Sequence, residues 1–388
     1  MKIKNLFIYL PLITLVSCSA SQTIKLENQN ISHETKFGGV YIETTIQDFN
    51  NLGFSFGDSL NITFSNGYVL NDLPYYNGYY VDNLAPLLVG YPGYPYIRAG
   101  FNNGDDMWEL LALHDDDKAN IKLNKKGKYL DIQEAMDIHY SDEQGDLPDE
   151  IFGNFRSVNV GNLKENILYR SASPVDNQHK RAPVVDRLIN NKVNTIIDLS
   201  DDDDELAGHL TKSDFNSPYA KSIYDQGNII ALSMNMNFQL GPDGESSEDV
   251  SSLFTEFKNE AFHQKLIKGI RFMINHDGPY LVHCVEGKDR TGFVIMVLSA
   301  FAGATYEEII DDYMVTYDNY YGINKRDDLS KYNIIKQKNI DVMLKTLIAD
   351  DNVDIRKADY SLYAENYLLN KGLEENEITI LKQKLLKN

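Results

Sequence analysis

Cysteine is almost absent from this chain: its 388 residues include two, Cys18 and Cys284. That count excludes a disulfide framework, and each cysteine has a local context that explains it without pairing. Positive charge is scarce as well. There are 37 Lys and Arg against 57 Asp and Glu, a net charge of −20 at pH 7. Nucleic acid is therefore not an expected partner, since a phosphate backbone would be repelled. Past the N-terminus no run approaches the ~20 apolar residues that span a bilayer. No internal repeat is evident. Metal-ligand spacing is missing too: His179 and His209 have no ligand-like neighbours in sequence. The acidic run Asp201-Asp202-Asp203-Asp204-Glu205 lacks the spaced acids and central Gly of a calcium loop. It reads as a solvated acidic turn. Neither a metal nor a cofactor is expected.

What is present begins at the N-terminus. Lys2 and Lys4 precede an apolar stretch from Leu6 to Val16, which runs into Leu15-Val16-Ser17-Cys18. This is an export signal rather than part of the fold. Its last four residues resemble a bacterial lipobox, in which the cysteine is acylated and becomes the first residue of the mature chain. A plain cleaved signal or a short anchor is the alternative. On the lipobox reading, residues 1–22 are signal and tether start, with Cys18 the lipidation site. The protein is then exported, a membrane-anchored lipoprotein facing the periplasm or the cell exterior. Acyl chains contribute about 0.8 kcal/mol per buried CH₂ to such anchoring.

Residues 20–33 are polar and read as an irregular tether. From residue 37 the pattern changes. Leu60-Asn61-Ile62-Thr63-Phe64-Ser65 alternates with period two and ends at Asn66-Gly67, the signature of a hairpin. Tyr, Gly and Pro crowd residues 74–96, and Trp108 and Tyr129-Leu130-Asp131-Ile132 suggest further strands. A small β-rich domain of unassigned role is expected over residues 35–140, its tyrosines packing its core and rim. An acidic, Gly- and Pro-containing stretch, 141–150, reads as a linker. From residue 152 to 388 strands and helices alternate. Thr195-Ile196-Ile197-Asp198-Leu199 and residues 228–234 read as buried strands. Phe262, Leu266, Ile270 and Met273 share one helical face. Thr305 with Glu308 forms a capping-box pattern ahead of Tyr306, Ile309, Ile310 and Tyr313, and further helices are expected over 339–349 and 360–369. The fold class is α/β, a mostly parallel sheet flanked by helices, with the small β-rich domain in front.

The most informative stretch is His283-Cys284-Val285-Glu286-Gly287-Lys288-Asp289-Arg290-Thr291-Gly292. Tyr280-Leu281-Val282 precedes it as a strand, and an apolar helical run, 293–302, follows. Strand, tight loop and helix start build an anion cradle: N–H groups of residues 285–290 turn inward, and the helix adds unpaired N–H groups and the positive end of its dipole. The same field favours a thiolate, which makes Cys284 a candidate nucleophile. Gly287 permits the tight turn. Arg290 offers a planar fork for two phosphoryl oxygens. Thr291 is placed to hydrogen-bond the sulfur, and His283 to orient the loop. A buried, inert cysteine is the alternative.

This loop resembles the signature of the protein tyrosine phosphatase superfamily. Its Gly-Lys-Asp-Arg-Thr-Gly ending resembles a bacterial subfamily of secreted tyrosine and dual-specificity phosphatases, some of which act on phosphoinositides. Ile167-Leu168-Tyr169-Arg170-Ser171-Ala172 with Thr195-Ile196-Ile197-Asp198-Leu199 resembles the subfamily's opening pattern. Arg356-Lys357-Ala358-Asp359-Tyr360 with Tyr367-Leu368 resembles its C-terminal helices. The subfamily places Arg after the Asp-Leu pair, where this chain has Ser200.

The resemblance implies a phosphomonoesterase that proceeds through a cysteinyl-phosphate and uses no metal. Expected substrates are a phosphorylated protein, a phosphoinositide or another phosphomonoester. Asp289 is the first candidate for the general acid, or else a carboxylate paired with Lys288. Asp198 is the second, or else it caps the following turn. Asp243, in Leu240-Gly241-Pro242-Asp243-Gly244, is a third, although a plain turn accounts for it. Lys288 suggests a highly charged substrate or a tightened anion well, unless it points outward. Arg170 and His283 are possible cleft residues, Arg170 alternatively part of an ion pair. Competing readings are an inositol-polyphosphate phosphatase and a surface lipoprotein that binds phospho-ligands without turnover. A rhodanese-like sulfur transferase closes a shorter loop and lacks the Arg-Thr-Gly ending.

Overall fold

A computed structural model describes residues 23–82, 84–234, 260–350 and 352–387. Cys18 with its leader, and Asp243, lie outside the described residues. Among the described residues, no helix is long and apolar enough to cross a membrane.

The first third is a closed barrel. Its strands are β1 (Lys25–Glu34), β2 (Gly39–Ile42), β3 (Ser59–Phe64), β4 (Val69–Tyr76), β5 (Pro86–Val89), β6 (Ile97–Phe101) and β7 (Lys118–Lys125). They close in the order β1-β2-β6-β5-β4-β3-β7, with β4 and β5 parallel and the other neighbours antiparallel. Closure removes the exposed sheet edges of a small β structure. The alternation in β3 sends Leu60, Ile62 and Phe64 into the core, and Gly67, at φ +97°, turns the chain into β4. Tyr75 and Tyr76 are buried. Tyr41, Tyr94 and Tyr96 meet edge to face, so tyrosines pack both core and rim.

Three local expectations are corrected here. Residues 25–34 are not a tether but a ten-residue strand, whose polar outer face hid its role in closing the barrel. Trp108 lies in the short helix Met107–Leu110, because Asp106 caps that turn by accepting from the Trp108 N–H. Residues 130–132 open the helix Leu130–Met136; a short apolar run does not distinguish strand from helix.

The remainder is mixed α/β. Strands β8 (Arg156–Ser157), β9 (Leu168–Ser171), β10 (Thr195–Asp198), β11 (Ile229–Ala231) and β12 (Tyr280–His283) lie in the order β11-β10-β12-β9-β8. Pairing is parallel except between β8 and β9. Side chains alternate across the sheet. Ile196 and Leu281 enter one layer with Val184, Val185, Leu206 and Ile223. Ile197 and Val282 enter the other with Leu266, Ile270, Met273 and Val297. The helix Asp289–Phe301 is buried on every side from Thr291 onward, as its unbroken apolar sequence requires. The helix Tyr306–Tyr321 starts at the expected Thr305–Glu308 capping box and stops at left-handed Gly322.

Candidate active site

Strand β12 is central in the sheet and buried on both faces. Its chain emerges at Cys284, and the helix beginning at Asp289 starts only five residues on. The loop between them is held by its carbonyls. Val285 O accepts from Ser173 N at 3.1 Å. Glu286 O accepts from the Tyr320 hydroxyl at 2.6 Å and from Asn154 Nδ2 at 3.1 Å. Gly287 O accepts from Arg170 Nη2 at 2.9 Å, and Lys288 O from Gly292 N at 2.7 Å. With the carbonyls engaged outside the loop, the N–H groups of residues 285–288 are left for its inner side. Among the described residues those four N–H groups meet no acceptor. The helix N-terminus supplies more unpaired N–H groups and positive potential. Such a concavity suits one tetrahedral oxyanion.

Gly287 sits at φ +69°, and a Cβ there would lie 2.1 Å from Ser171 O. Both conformation and space require glycine. Cys284 is buried, 3% exposed, and belongs to the hydrophobic cluster on one face of the sheet.

Behind the loop stands an ion-pair network. Arg170 donates from Nη1 to Asp312 Oδ2 at 2.6 Å, and Arg156 donates from Nε to Asp312 Oδ1 at 3.1 Å. Burial alone would raise the Asp312 carboxyl, but the two guanidinium charges outweigh it and hold it below the usual carboxylate range. Arg170, expected as a possible cleft residue, is fully buried on the outer side of the loop. Its ion-pair alternative holds, and the pair supports loop backbone.

Lys288 does not point outward. Its Nζ lies 2.9 Å from Glu286 Oε2 and 3.7 Å from Asp289 Oδ2. The Asp289 carboxylate accepts weakly from the Tyr313 hydroxyl at 3.3 Å. Burial raises its pKa, and Lys288 only partly offsets this, so the carboxyl keeps its proton to higher pH than usual. Arg290 is partly exposed and contributes positive charge near both His283 and Asp289. Asp198 is fully buried, and its Oδ1 accepts from Ser200 N and Oγ, both at 2.8 Å, and from Asp201 N at 3.2 Å. It therefore caps the turn after β10. Ser200, where the resembling subfamily has Arg, donates its hydroxyl to that carboxylate.

Two expectations are revised. Neither His283 ring nitrogen has a hydrogen-bond partner among the described residues, and Asp198 Oδ1 is 3.9 Å from Nδ1. The ring is buried and burial lowers its pKa, so it packs as a neutral side chain beneath the loop rather than lining the cleft. The Thr291 hydroxyl makes no hydrogen bond among the described residues, Cys284 Sγ included. The acidic run is mostly exposed, and Asp202 caps the helix Asp203–Thr211 in a capping box with Glu205. Asp201 is the exception. It is buried, 3.5 Å from His209 Nε2, and burial with the neighbouring Asp198 charge pushes it up to about 8.

Asn154, Arg156, Asp312 and Tyr320 were not picked out by sequence. Asp312 left a usable signal. It falls three residues after Ile309 and four before Thr316, both buried, so a carboxylate sits in the inward stripe of its helix. The others act across long sequence separations with no local pattern.

A family model described as "Tyrosine phosphatase family" matches residues 152–387, more than half of the chain. The chain belongs to the tyrosine phosphatase family. The match begins after the barrel and takes in the whole sheet and the Cys284 loop. The chain is also similar to the triple specificity protein phosphatase PtpB of Mycobacterium tuberculosis, 28% identical over 87 residues. That likeness covers 20% of this chain and 32% of the relative, so the chain matches about a third of the relative's length.

Proposed function

We propose that the chain hydrolyses phosphotyrosine in proteins through a cysteinyl-phosphate, with activity on phosphoserine or phosphothreonine as a wider range. The observation that carries this reading is the loop's carbonyl set. The carbonyls of residues 285–288 are hydrogen-bonded while their N–H groups meet no acceptor among the described residues, which supports an anion site beside Cys284. In the proposed cycle the Cys284 sulfur attacks phosphorus in line. The ester P–O bond breaks, and the leaving oxygen takes a proton from Asp289. Arg290 and the loop amides hold the equatorial oxygens while charge moves among them. Water then attacks phosphorus and gives a proton back to Asp289, the S–P bond breaks with its electron pair returning to sulfur, and inorganic phosphate leaves. Every group in the cycle is protein or water. The raised pKa of Asp289 supports its role as the acid, whereas the capping bonds of Asp198 favour a structural part for that residue.

The test is phosphate release from p-nitrophenyl phosphate by wild type and by Cys284→Ser. Turnover by wild type and none by the folded variant is expected. Two well-folded, equally inactive proteins would instead leave a binding protein without turnover. The export reading is likewise a proposal, supported by the lipobox-like sequence at Cys18. Mass spectrometry of the mature N-terminus should find acyl chains on Cys18, and Cys18→Ser should release the protein from membranes.

A further inference from the structure

The reaction uses the backbone of Glu286 but has no use for its carboxylate. A negative side chain beside an anion cradle opposes phosphate binding, since like charges at that range repel strongly near a protein surface. Yet the Glu286 carboxylate is held firmly. Its Oε2 is 2.9 Å from Lys288 Nζ, and its Oε1 accepts from the Tyr140 hydroxyl. Tyr140 belongs to the segment joining barrel and sheet. It is fixed in turn by stacking on Tyr320 with ring centres 4.9 Å apart, and by the Arg181 guanidinium 4.8 Å from its ring centre. Lys288 is equally enclosed, with Asp289 Oδ2 at 3.7 Å and the Tyr321 hydroxyl at 3.3 Å. Burial pushes the Glu286 carboxyl up, but Lys288 and Tyr140 outweigh it and leave it below its usual range. Burial pushes Lys288 down, and the Glu286 and Asp289 charges leave it well above. The pair stays charged at any working pH.

These side chains face a recess of about 520 Å³ between barrel, linker and loop. Three carboxylates line it, Asp137, Asp142 and Glu286, against one ammonium, Lys288; Arg181 Nη1 lies 3.1 Å from Asp142 Oδ1 at its wall, so with Glu286 paired to Lys288 the excess negative charge rests on Asp137. The two imidazoles on its wall are each committed to a carboxylate, His139 to Asp137 at 3.2 Å and His179 to Asp142 at 3.0 Å. A second phosphate reaching from the cradle into this recess meets an excess of negative charge.

We propose that Glu286 is a specificity-determining residue: it occupies Lys288 within the loop, withholds that cation from substrate, and restricts the site to singly phosphorylated substrates with neutral or basic surroundings. The inference rests on the phosphatase reading above and deepens it. Tyr140 is the positioning residue for Glu286, which gives the linker after the barrel a part in substrate choice. A phosphotyrosyl peptide fits these constraints; an inositol ring with several phosphates does not.

The experiment compares kcat/KM for a neutral-flanked phosphotyrosyl peptide and a soluble short-chain phosphatidylinositol trisphosphate. The proteins are wild type, Glu286→Gln and Tyr140→Phe, with Cys284→Ser as blank. Wild type is expected to favour the peptide. Glu286→Gln frees Lys288 and should raise the trisphosphate-to-peptide ratio about tenfold or more. Tyr140→Phe, which leaves the loop sequence intact, should move the ratio the same way by a smaller factor, and it carries the test should the loop variant not fold. A wild-type preference for the trisphosphate overturns the inference, as does an unchanged ratio while p-nitrophenyl phosphate is still turned over. Failure of wild type to turn over p-nitrophenyl phosphate overturns the phosphatase reading and this inference together.

Discussion

Two arginines, one in each part of the molecule, are almost wholly buried, and each meets one carboxylate. In the barrel, Arg98 donates to Glu34 Oε2 at 3.1 Å, the Tyr79 hydroxyl at 2.9 Å and Phe37 O at 3.1 Å. Glycines 39 and 100 leave room for it, since a Cβ on either would lie within about 2.6 Å of the guanidinium. In the α/β part, Arg170 joins Asp312 to Gly287 O. The chemistry is the same and the destination differs. Every bond of Arg98 ends inside the barrel, whereas Arg170 ends on the backbone of the loop that carries Cys284. A buried ion pair is weak evidence of net stabilisation; what matters is the segment whose geometry it fixes.

The comparison is sharpened most by removing the chemistry and sparing both networks. Cys284→Ser should lower kcat on the order of 10⁴-fold or more, with an unchanged thermal melt by circular dichroism. Asp289→Asn should lower kcat roughly 10²–10⁴-fold. The sign of its pH dependence follows from the raised pKa. An acid must be protonated to act, so wild-type kcat falls as pH rises through that value, and the Asn variant loses this limb of the pH–rate profile.

Arg170→Met and Arg98→Met test the comparison itself. Arg98→Met leaves the buried Glu34 without its guanidinium and should cost about 3–5 kcal/mol in urea unfolding, whereas Arg170→Met leaves Asp312 its Arg156 partner and should cost less. Normalised to folded protein, kcat/KM should fall roughly 10²-fold for Arg170→Met through misplacement of the loop. It should stay within about threefold for Arg98→Met. Equal losses of activity would erase the distinction drawn here.

The smallest effect concerns a buried carboxyl that no arginine reaches among the described residues. Asp201 is raised from 3.8 to about 8 by burial and by Asp198. Between those values the folded chain holds a proton that the unfolded chain has released, so stability falls as pH rises through this window. Asp201→Asn removes that dependence. Its stability relative to wild type should therefore rise between pH 5 and about 8, as read by urea melts at both ends.

Much of the site was legible because it is contiguous. Cys284, Gly287, Asp289 and Arg290 fall within seven residues, and strand–loop–helix chemistry dictates what such a run can do. The capping box at Thr305 and the hairpin at Gly67 were equally local, whereas the run 201–205, expected as a solvated acidic turn, caps a helix through Asp202. Where local cues were ambiguous, at residues 25–34, at Trp108 and at 130–132, tertiary packing chose the element. Lys288 shows the limit most clearly. Its position in the loop was plain, but its partners are Glu286 two residues away and a tyrosine network assembled from residues 140, 320 and 321.

The sequence by itself determined that a sulfur, a guanidinium and a carboxyl share one short loop, because the backbone between them is too short to separate them. Only the tertiary structure decided which way that loop faces and which of its charges remain for a substrate. Its carbonyls are held by Arg170, Asn154, Ser173 and Tyr320, and Lys288 is held by Glu286. Those contacts depend on the directions of side chains brought together from distant strands and helices, which no local spacing encodes.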